Sequence, residues 1–390
     1  MKEFIEGSLA VAKAVKLCKP GVISAYPITP QTHIVEELAT MVSNGELNSQ
    51  FVNVESEHSA ASLVLGAVAT GVRSFTATSS QGLLYMAEVI FNIAGMRLPL
   101  VLTCANRAIS APINIWNDQQ DVMTVRDSGW IIQFAENNQE AVDLHIMGYR
   151  LSEDHQIMLP VMINMDGYIL THGVEAADIP EQELVDKFLP PYEPLYKLDP
   201  ENPMTLGFLA DPDYYLETRY AIQKTQEVVL NLIPQINAEF KKIFSRTPSG
   251  LVEGYKLEGA KQVIVAMGSV VGTIKDTVDD LRNEGKKVGA LKITTYRPFP
   301  KQTIYEALKD IPEIGVLDKS ISLGAYGPLY TDLLSVFQGS DNQPKISGFV
   351  IGLGGRDITK SSIREIFNRL LEKQTDCEFM GVKENLLETK

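Results

Sequence analysis

Between Tyr26 and Arg107 the chain passes four times through the same succession: a short apolar run, a small polar cluster, then a helical pattern. The clusters are Tyr26-Pro27-Ile28-Thr29-Pro30, Glu55-Ser56-Glu57-His58, Ser79-Ser80-Gln81-Gly82 and Ala105-Asn106-Arg107. Apolar runs of strand length alternating with helical periodicity are the pattern of a parallel sheet covered on both faces, whose strands meet water on neither side. In an open sheet of this kind all four clusters fall beyond the carboxyl ends of the strands, where α/β proteins bind ligands. A hydroxyl, one or two carboxylates, an amide and a guanidinium would converge there on a single crevice.

The apolar runs predict strands at Val22 to Ala25, Phe51 to Val54, Ser74 to Thr78, Pro99 to Cys104, Trp130 to Phe134 and Pro160 to Asn164. Helices are expected from Glu6 to Cys18, Thr32 to Met41, Glu57 to Ala69, Gly82 to Ala94 and Gln139 to Glu153. Lys19-Pro20-Gly21 ends the first of these. The long polar loop from Asn106 to about Gln120 is of a length usually kept for function. A proline-rich excursion over 179–247, with a helical run from Tyr214 to Phe244 striped by Ile222, Val228, Val229, Leu232 and Ile233, adds no strand to the first sheet. At ~150 residues per domain, 390 residues give two or three domains. The division expected is a larger α/β domain over 1–247, a linker over 248–258 containing Pro248-Ser249-Gly250, and a smaller α/β domain over 259–390. Its strands are Gln262 to Met267, Lys287 to Ile293, Gly315 to Leu317 and Ile346 to Ile351, with a polar tail from about Glu372 that is loosely ordered or lies on a partner.

A net charge of −14, with no cluster of lysine and arginine interleaved with aromatics, excludes a nucleic-acid partner. The apolar runs fall short of the ~18 residues of a membrane span. Met1-Lys2-Glu3-Phe4 leads straight into a helical pattern rather than a leader peptide, so the expected location is the cytoplasm. Cys18, Cys104 and Cys377 are far apart and form no C-x-x-C pair, so this chain alone builds neither an iron–sulfur cluster nor a structural zinc site. Cys18 and Cys104, flanked by apolar residues, read as buried thiols. His33, His58, His145, His155 and His172 include no pair at metal-ligand spacing and are mostly expected as surface or capping residues.

Among the candidate site residues, Glu57 opens a helix beyond a buried strand and so faces a ligand, although the macrodipole also favours a plain glutamate there and Glu55 competes with it. Arg107 ends a strand and can clamp a carboxylate with two parallel hydrogen bonds, or equally brace Asp118 or Asp121. Thr29, before Pro30, is either a ligand or part of a stiff turn. Gly268 to Thr273 can cradle a phosphate at a helix start, but lacks G-x-G-x-x-G spacing and more often marks a tight turn. Gly352-Leu353-Gly354-Gly355 is a weaker signal still. G-x-S-x-G, the serine hydrolase elbow, is absent.

Taken in order and spacing, Tyr26 to Pro30, Glu55 to His58, Ser80-Gln81-Gly82 and Asn106-Arg107 followed by Asp118 and Asp121 resemble the α subunit of the pyruvate:ferredoxin oxidoreductases, within the 2-oxoacid:ferredoxin oxidoreductase family. The resemblance covers essentially the whole chain. It implies a parallel-sheet thiamine-diphosphate pyrimidine-binding domain followed by a smaller transketolase C-terminal-like α/β domain. It implies that Glu57 hydrogen-bonds the aminopyrimidine and activates the cofactor, that Thr29 and Arg107 hold the 2-oxoacid carboxylate, and that Pro27, Ser80 and Gln81 lie near the cofactor.

No Gly-Asp-Gly motif for the diphosphate and magnesium is present, Met165-Asp166-Gly167 being the nearest, and ferredoxin-type cysteine runs are absent. The resemblance therefore implies a β subunit carrying the diphosphate and Mg2+ site, γ and ferredoxin-like δ subunits with [4Fe-4S] clusters, coenzyme A as co-substrate and ferredoxin as acceptor. No metal is expected in this chain. Rival readings are a relative acting on 2-oxoglutarate, a branched-chain acid or oxalate, a non-catalytic scaffold subunit, and, on the Gly268 turn alone, an NAD-dependent dehydrogenase.

Overall fold

The computed structural model describes residues 2–340 and 342–387. Its strands, numbered in chain order, are β1 (Lys2–Glu6), β2 (Val22–Ala25), β3 (Gln50–Asn53), β4 (Ser74–Thr78), β5 (Val101–Asn106), β6 (Ile131–Phe134), β7 (Val161–Asp166) and β8 (Val174–Asp178). They continue with β9 (Val252–Tyr255), β10 (Gln262–Ala266), β11 (Val288–Ile293), β12 (Thr295–Arg297), β13 (Glu313–Asp318), β14 (Lys345–Val350) and β15 (Glu378–Phe379).

Seven strands form the first sheet in the order β12-β6-β7-β5-β4-β2-β3, parallel throughout except for β12. Every residue of β4, β5, β6 and β7 is buried, as strands covered on both faces must be. β2 lies between β3 and β4, so the chain steps from β2 to one side and then crosses to the other. The switch point, where two neighbouring loops diverge and open a crevice, is therefore the carboxyl end of β2 and β4. A second sheet, β15-β14-β13-β10-β11-β9, is parallel except for β9.

Four sequence expectations are corrected. The chain opens with β1, paired antiparallel to β8, and the first helix starts only at Gly7. The helix expected from Gly82 to Ala94 is two, Ser80–Tyr85 and Ala87–Gly95, breaking at Met86. On the helix Tyr215–Phe244, Val228 faces outward, while Ile222, Val229, Leu232 and Ile233 are joined in the core by Phe240 and Phe244. His145 is neither surface nor cap: it is fully buried between Thr103 Oγ1 and the Ala141 carbonyl, each at 2.6 Å, and burial lowers its pKa to about 4. Of the polar tail, β15 extends the second sheet and Met380 is buried against it, its N–H donating to the Val350 carbonyl. Residues 388–390 lie outside the described residues.

The two sheets are tied by strands and by buried charge. β12 leaves the second half of the chain to pair with β6 of the first sheet. At the end of β7, the fully buried Asp166 accepts from Lys319 Nζ at 2.9 Å, Ser269 N at 2.9 Å and Ser269 Oγ at 2.5 Å. Burial opposes its ionisation, but Lys319 and Ser269 outweigh that and hold its pKa below the ordinary aspartate value. Asp118, also buried, accepts from the Gly354 N–H at 3.1 Å across the seam and from Gln120 N at 3.0 Å.

Burial pushes Asp118 up to about 6 from 3.8, partly opposed by those N–H donors. The folded state therefore favours its protonated form: this contribution to stability is whole below about pH 4 and is lost as pH rises through about 6. Comparing denaturant unfolding of wild type and Asp118→Asn, the variant should gain on wild type by up to about 3 kcal/mol between pH 4 and pH 7. A constant difference over that window would show that the carboxyl titrates normally.

Candidate active site

The four loops beyond β2, β3, β4 and β5 sit side by side, since those strands are consecutive in the order β5-β4-β2-β3. The turn after β2 leaves Tyr26, Pro27 and Thr29 exposed and buries Pro30, and its Gln31 side chain anchors it by donating to the Ala77 carbonyl of β4 at 2.7 Å. Gly167 approaches the same turn so closely that a Cβ there would meet Pro30 Cγ at 2.6 Å.

After β3, Ser56 caps the helix Glu57–Ala69 by accepting from the Ser59 N–H. Glu57 is the first residue of that helix and only 9 % exposed. Glu55, its rival, is exposed and receives the Ser59 hydroxyl at 2.5 Å. Against the Glu57 carboxylate lies Gly82: a Cβ at that position would meet Glu57 Oε1 at 2.8 Å and Thr78 Oγ1 at 2.6 Å. No protein donor reaches the Glu57 carboxylate among the described residues, and beside Gly82 the buried Gln81 Nε2, Thr78 Oγ1 and Ser79 Oγ also lack partners. A buried anion flanked by unpartnered polar atoms is a place for a polar ligand to complete.

Arg107 at the end of β5 is 7 % exposed. Its Nη1 donates to the Thr29 carbonyl at 2.9 Å and its Nε to the Asn114 carbonyl at 2.9 Å. The guanidinium braces neither Asp118 nor Asp121, and among the described residues no carboxylate lies within ion-pair distance of it. Burial lowers its pKa, partly offset by Tyr168 and Asp121, yet a guanidinium stays charged at neutral pH. Two neutral carbonyls thus orient a desolvated positive charge and leave Nη2 unused, an arrangement suited to binding an anionic group.

The residue that joins these loops is Asp121, fully buried. Its Oδ2 accepts from Ser80 N and Arg107 N, both at 3.0 Å, and its Oδ1 from Asn106 Nδ2 at 3.0 Å and Val122 N at 2.8 Å. Burial raises its pKa against the pull of these donors, and with every bond accepted the group acts as a carboxylate. Ser80 needs this support, because it holds a left-handed backbone (φ 50°) that a residue with a side chain rarely takes. The Ser80 hydroxyl is buried and faces the Ala108 carbonyl and Gln81 Oε1, each at 2.5 Å, so it is engaged within the protein. The sequence set Asp121 beside Asp118 without separating their roles. Only its place between β4 and β5 does so.

In the Gly268 turn the Ser269 N–H and hydroxyl are already taken by the Asp166 carboxylate. Gly352 to Gly355 forms a turn of left-handed glycines that docks the polar loop, receiving Asn114 Nδ2 at the Gly354 carbonyl at 3.1 Å.

Comparison with known proteins bears on this geometry. The family described as pyruvate flavodoxin/ferredoxin oxidoreductase, thiamine-diphosphate-binding, matches residues 13–238, and pyruvate:ferredoxin oxidoreductase core domain II matches residues 260–363. The pyruvate synthase subunit PorA of Methanothermobacter thermautotrophicus is 48% identical over 97% of this chain and 98% of its own length. The chain belongs to the pyruvate:ferredoxin oxidoreductase family. Within reach of it also lies the ketoisovalerate oxidoreductase subunit VorA of Pyrococcus horikoshii, 43% identical over 94% of this chain and 93% of its own. A pyruvate:ferredoxin oxidoreductase fold is matched by the solved 2-oxoglutarate:ferredoxin oxidoreductase of Magnetococcus marinus, with a TM-score of 0.73 at 19% identity, over 95% of this chain. The chain spans 65% of that protein's length.

If Asp121 holds the loops of this family member's site, Asp121→Ala leaves several buried donors unpaired. It should lower the unfolding free energy by roughly 3 kcal/mol or more and speed hydrogen exchange at the Ser80 and Arg107 amides. Unchanged exchange at both amides would show that the loops hold their shape without it.

Proposed function

We propose that this chain is the α subunit of a thiamine-diphosphate-dependent enzyme that converts pyruvate and coenzyme A to acetyl-CoA and CO2, passing two electrons to ferredoxin. The observation that carries the reading is the presence of two buried charges without an ion-pair partner, Glu57 and Arg107, on the loops that flank the switch point of a sheet whose family binds thiamine diphosphate. Relatives named as pyruvate synthase subunits support pyruvate as substrate.

The residues present fit half of a cofactor site. Glu57 would hold the aminopyrimidine, with Gln81 Nε2 as a spare donor and Pro27 at the exposed rim. The diphosphate would be held elsewhere, because Asp166, the nearest equivalent of a metal-binding aspartate in the sequence, is locked to Lys319 and Ser269. The partner half is a β subunit with Mg2+, and γ and δ subunits with [4Fe-4S] clusters would carry electrons to ferredoxin in the cytoplasm. Thiamine diphosphate, when bound, supplies the nucleophilic carbon and the electron sink for decarboxylation.

The work of this chain is to bind, orient and hold one proton. Arg107 takes the substrate carboxylate through Nη2 and the free hydrogen of Nη1, with Thr29 beside it. Its positive charge offsets the charge of the 2-oxoacid in a desolvated site, where the attraction is strong. The buried Glu57 carboxylate is available to share a proton with a ring nitrogen, which is general acid–base work. Having only Thr29 beside the guanidinium suits a small, neutral 2-oxoacid, since a second substrate charge would call for a second base. The scaffold reading leaves both uncompensated charges without a purpose.

In the assembled complex, Glu57→Gln should cut turnover by roughly 10²- to 10⁴-fold. Arg107→Ala should raise the KM for pyruvate by about ten- to a hundredfold. Wild-type turnover in Glu57→Gln would sink the reading. A panel of pyruvate, 2-oxoisovalerate and 2-oxoglutarate tests the substrate, with pyruvate expected to show the highest kcat/KM.

A further inference from the structure

Outside the crevice, three metal-ligating side chains from distant parts of the chain come together: Glu6 at the end of β1, His33 in the first turn of the helix Thr32–Ser43, and His172 in the turn before β8. One ligand atom from each lies within 4.8 Å of the other two. No sequence spacing reveals this, because the three are far apart along the chain.

Each ligand rides on backbone that is fixed independently. The residues after Glu6 are bonded to the turn that carries His172, with Gly7 N donating to the Gly173 carbonyl at 3.1 Å and Ser8 N to the Thr171 carbonyl at 3.0 Å. Gly7 fits so closely there that a Cβ would clash with the Leu170 carbonyl. His33 follows the anchored Gln31. The His172 ring is set by Thr171 Oγ1 at its Nδ1, 2.7 Å away, and lies 4.7 Å from the His33 ring and 4.8 Å from that of Tyr168. A hydroxyl at one ring nitrogen fixes the ring and leaves the other for a metal, as outer partners of histidine ligands commonly do. His33 Nδ1 is 2.7 Å from Glu6 Oε1, so a modest side-chain rotation of the exposed His33 would open the space between them.

We propose that Glu6, His33 and His172 bind one divalent transition-metal ion of the zinc type, with water completing the shell. Two imidazoles and one carboxylate suit zinc or cobalt rather than calcium or magnesium, which take oxygen donors. A bound ion would cross-link the start of the chain, the turn before β8 and the helix that begins just after Thr29 and Pro30. The site owes nothing to the catalytic reading and stands or falls separately from it.

The test is titration of the tag-free, full-length chain with Zn2+ by calorimetry and with Co2+ by visible absorption. Wild type and Cys377→Ser, which removes the one partly exposed thiol, should each bind one equivalent. His33→Ala and His172→Ala should each weaken binding more than ~tenfold and abolish the Co2+ bands. His33 is exposed, so its removal leaves folding intact, and circular dichroism checks this. Equal binding by wild type and His33→Ala, or no saturation of wild type by about 1 mM Zn2+, overturns the proposal.

Discussion

The site depends on the Asp121 carboxylate, buried where β4 and β5 end. One oxygen holds the amides of Ser80 and Arg107, and the other holds Asn106 and the start of its own helix. A carboxylate inside a protein is costly unless its lone pairs are filled, and here they are filled by groups whose positions matter. Through Ser80 it sets the turn that brings Gly82 against Glu57. Through Arg107 it sets the guanidinium that reaches the Thr29 carbonyl. The four loops after β2, β3, β4 and β5 are thereby made one unit.

The charges left over are informative because their neighbours are so well satisfied. Asp166 is matched by Lys319 and Ser269, and Lys292 by Glu136, Glu140 and Glu253. Against that background, neither the Glu57 carboxylate nor the Arg107 guanidinium is in an ion pair among the described residues. Such isolation is unfavourable for folding and is tolerated where a ligand supplies the missing partner. Binding a cofactor ring and a substrate carboxylate there would satisfy both.

Much of this was readable in the sequence, and the reasons differ by residue. Strand runs and the clusters after them are local signals, so β2, β4, β5 and β7 and the places of Thr29, Glu57 and Arg107 follow from pattern alone. Contacts between distant segments have no such signal. β1 looks helical because its alternation is brief, and β12 joins the first sheet from far along the chain. Nothing in spacing distinguishes Asp121, which organises the loops, from Asp118, which docks on Gly354. The resemblance sets Ser80 near the cofactor but says nothing of its hydroxyl, which in the fold is engaged by the Ala108 carbonyl.

The central claim is that Glu57 and Arg107 form half of a pocket whose ligands neutralise them. A structure of the assembled complex with thiamine diphosphate and pyruvate tests this most directly. The account predicts the pyruvate carboxylate on the Arg107 guanidinium beside Thr29 and a pyrimidine nitrogen on the Glu57 carboxylate. A substrate carboxylate held by other residues, with Arg107 and Glu57 touching neither ligand, would contradict it.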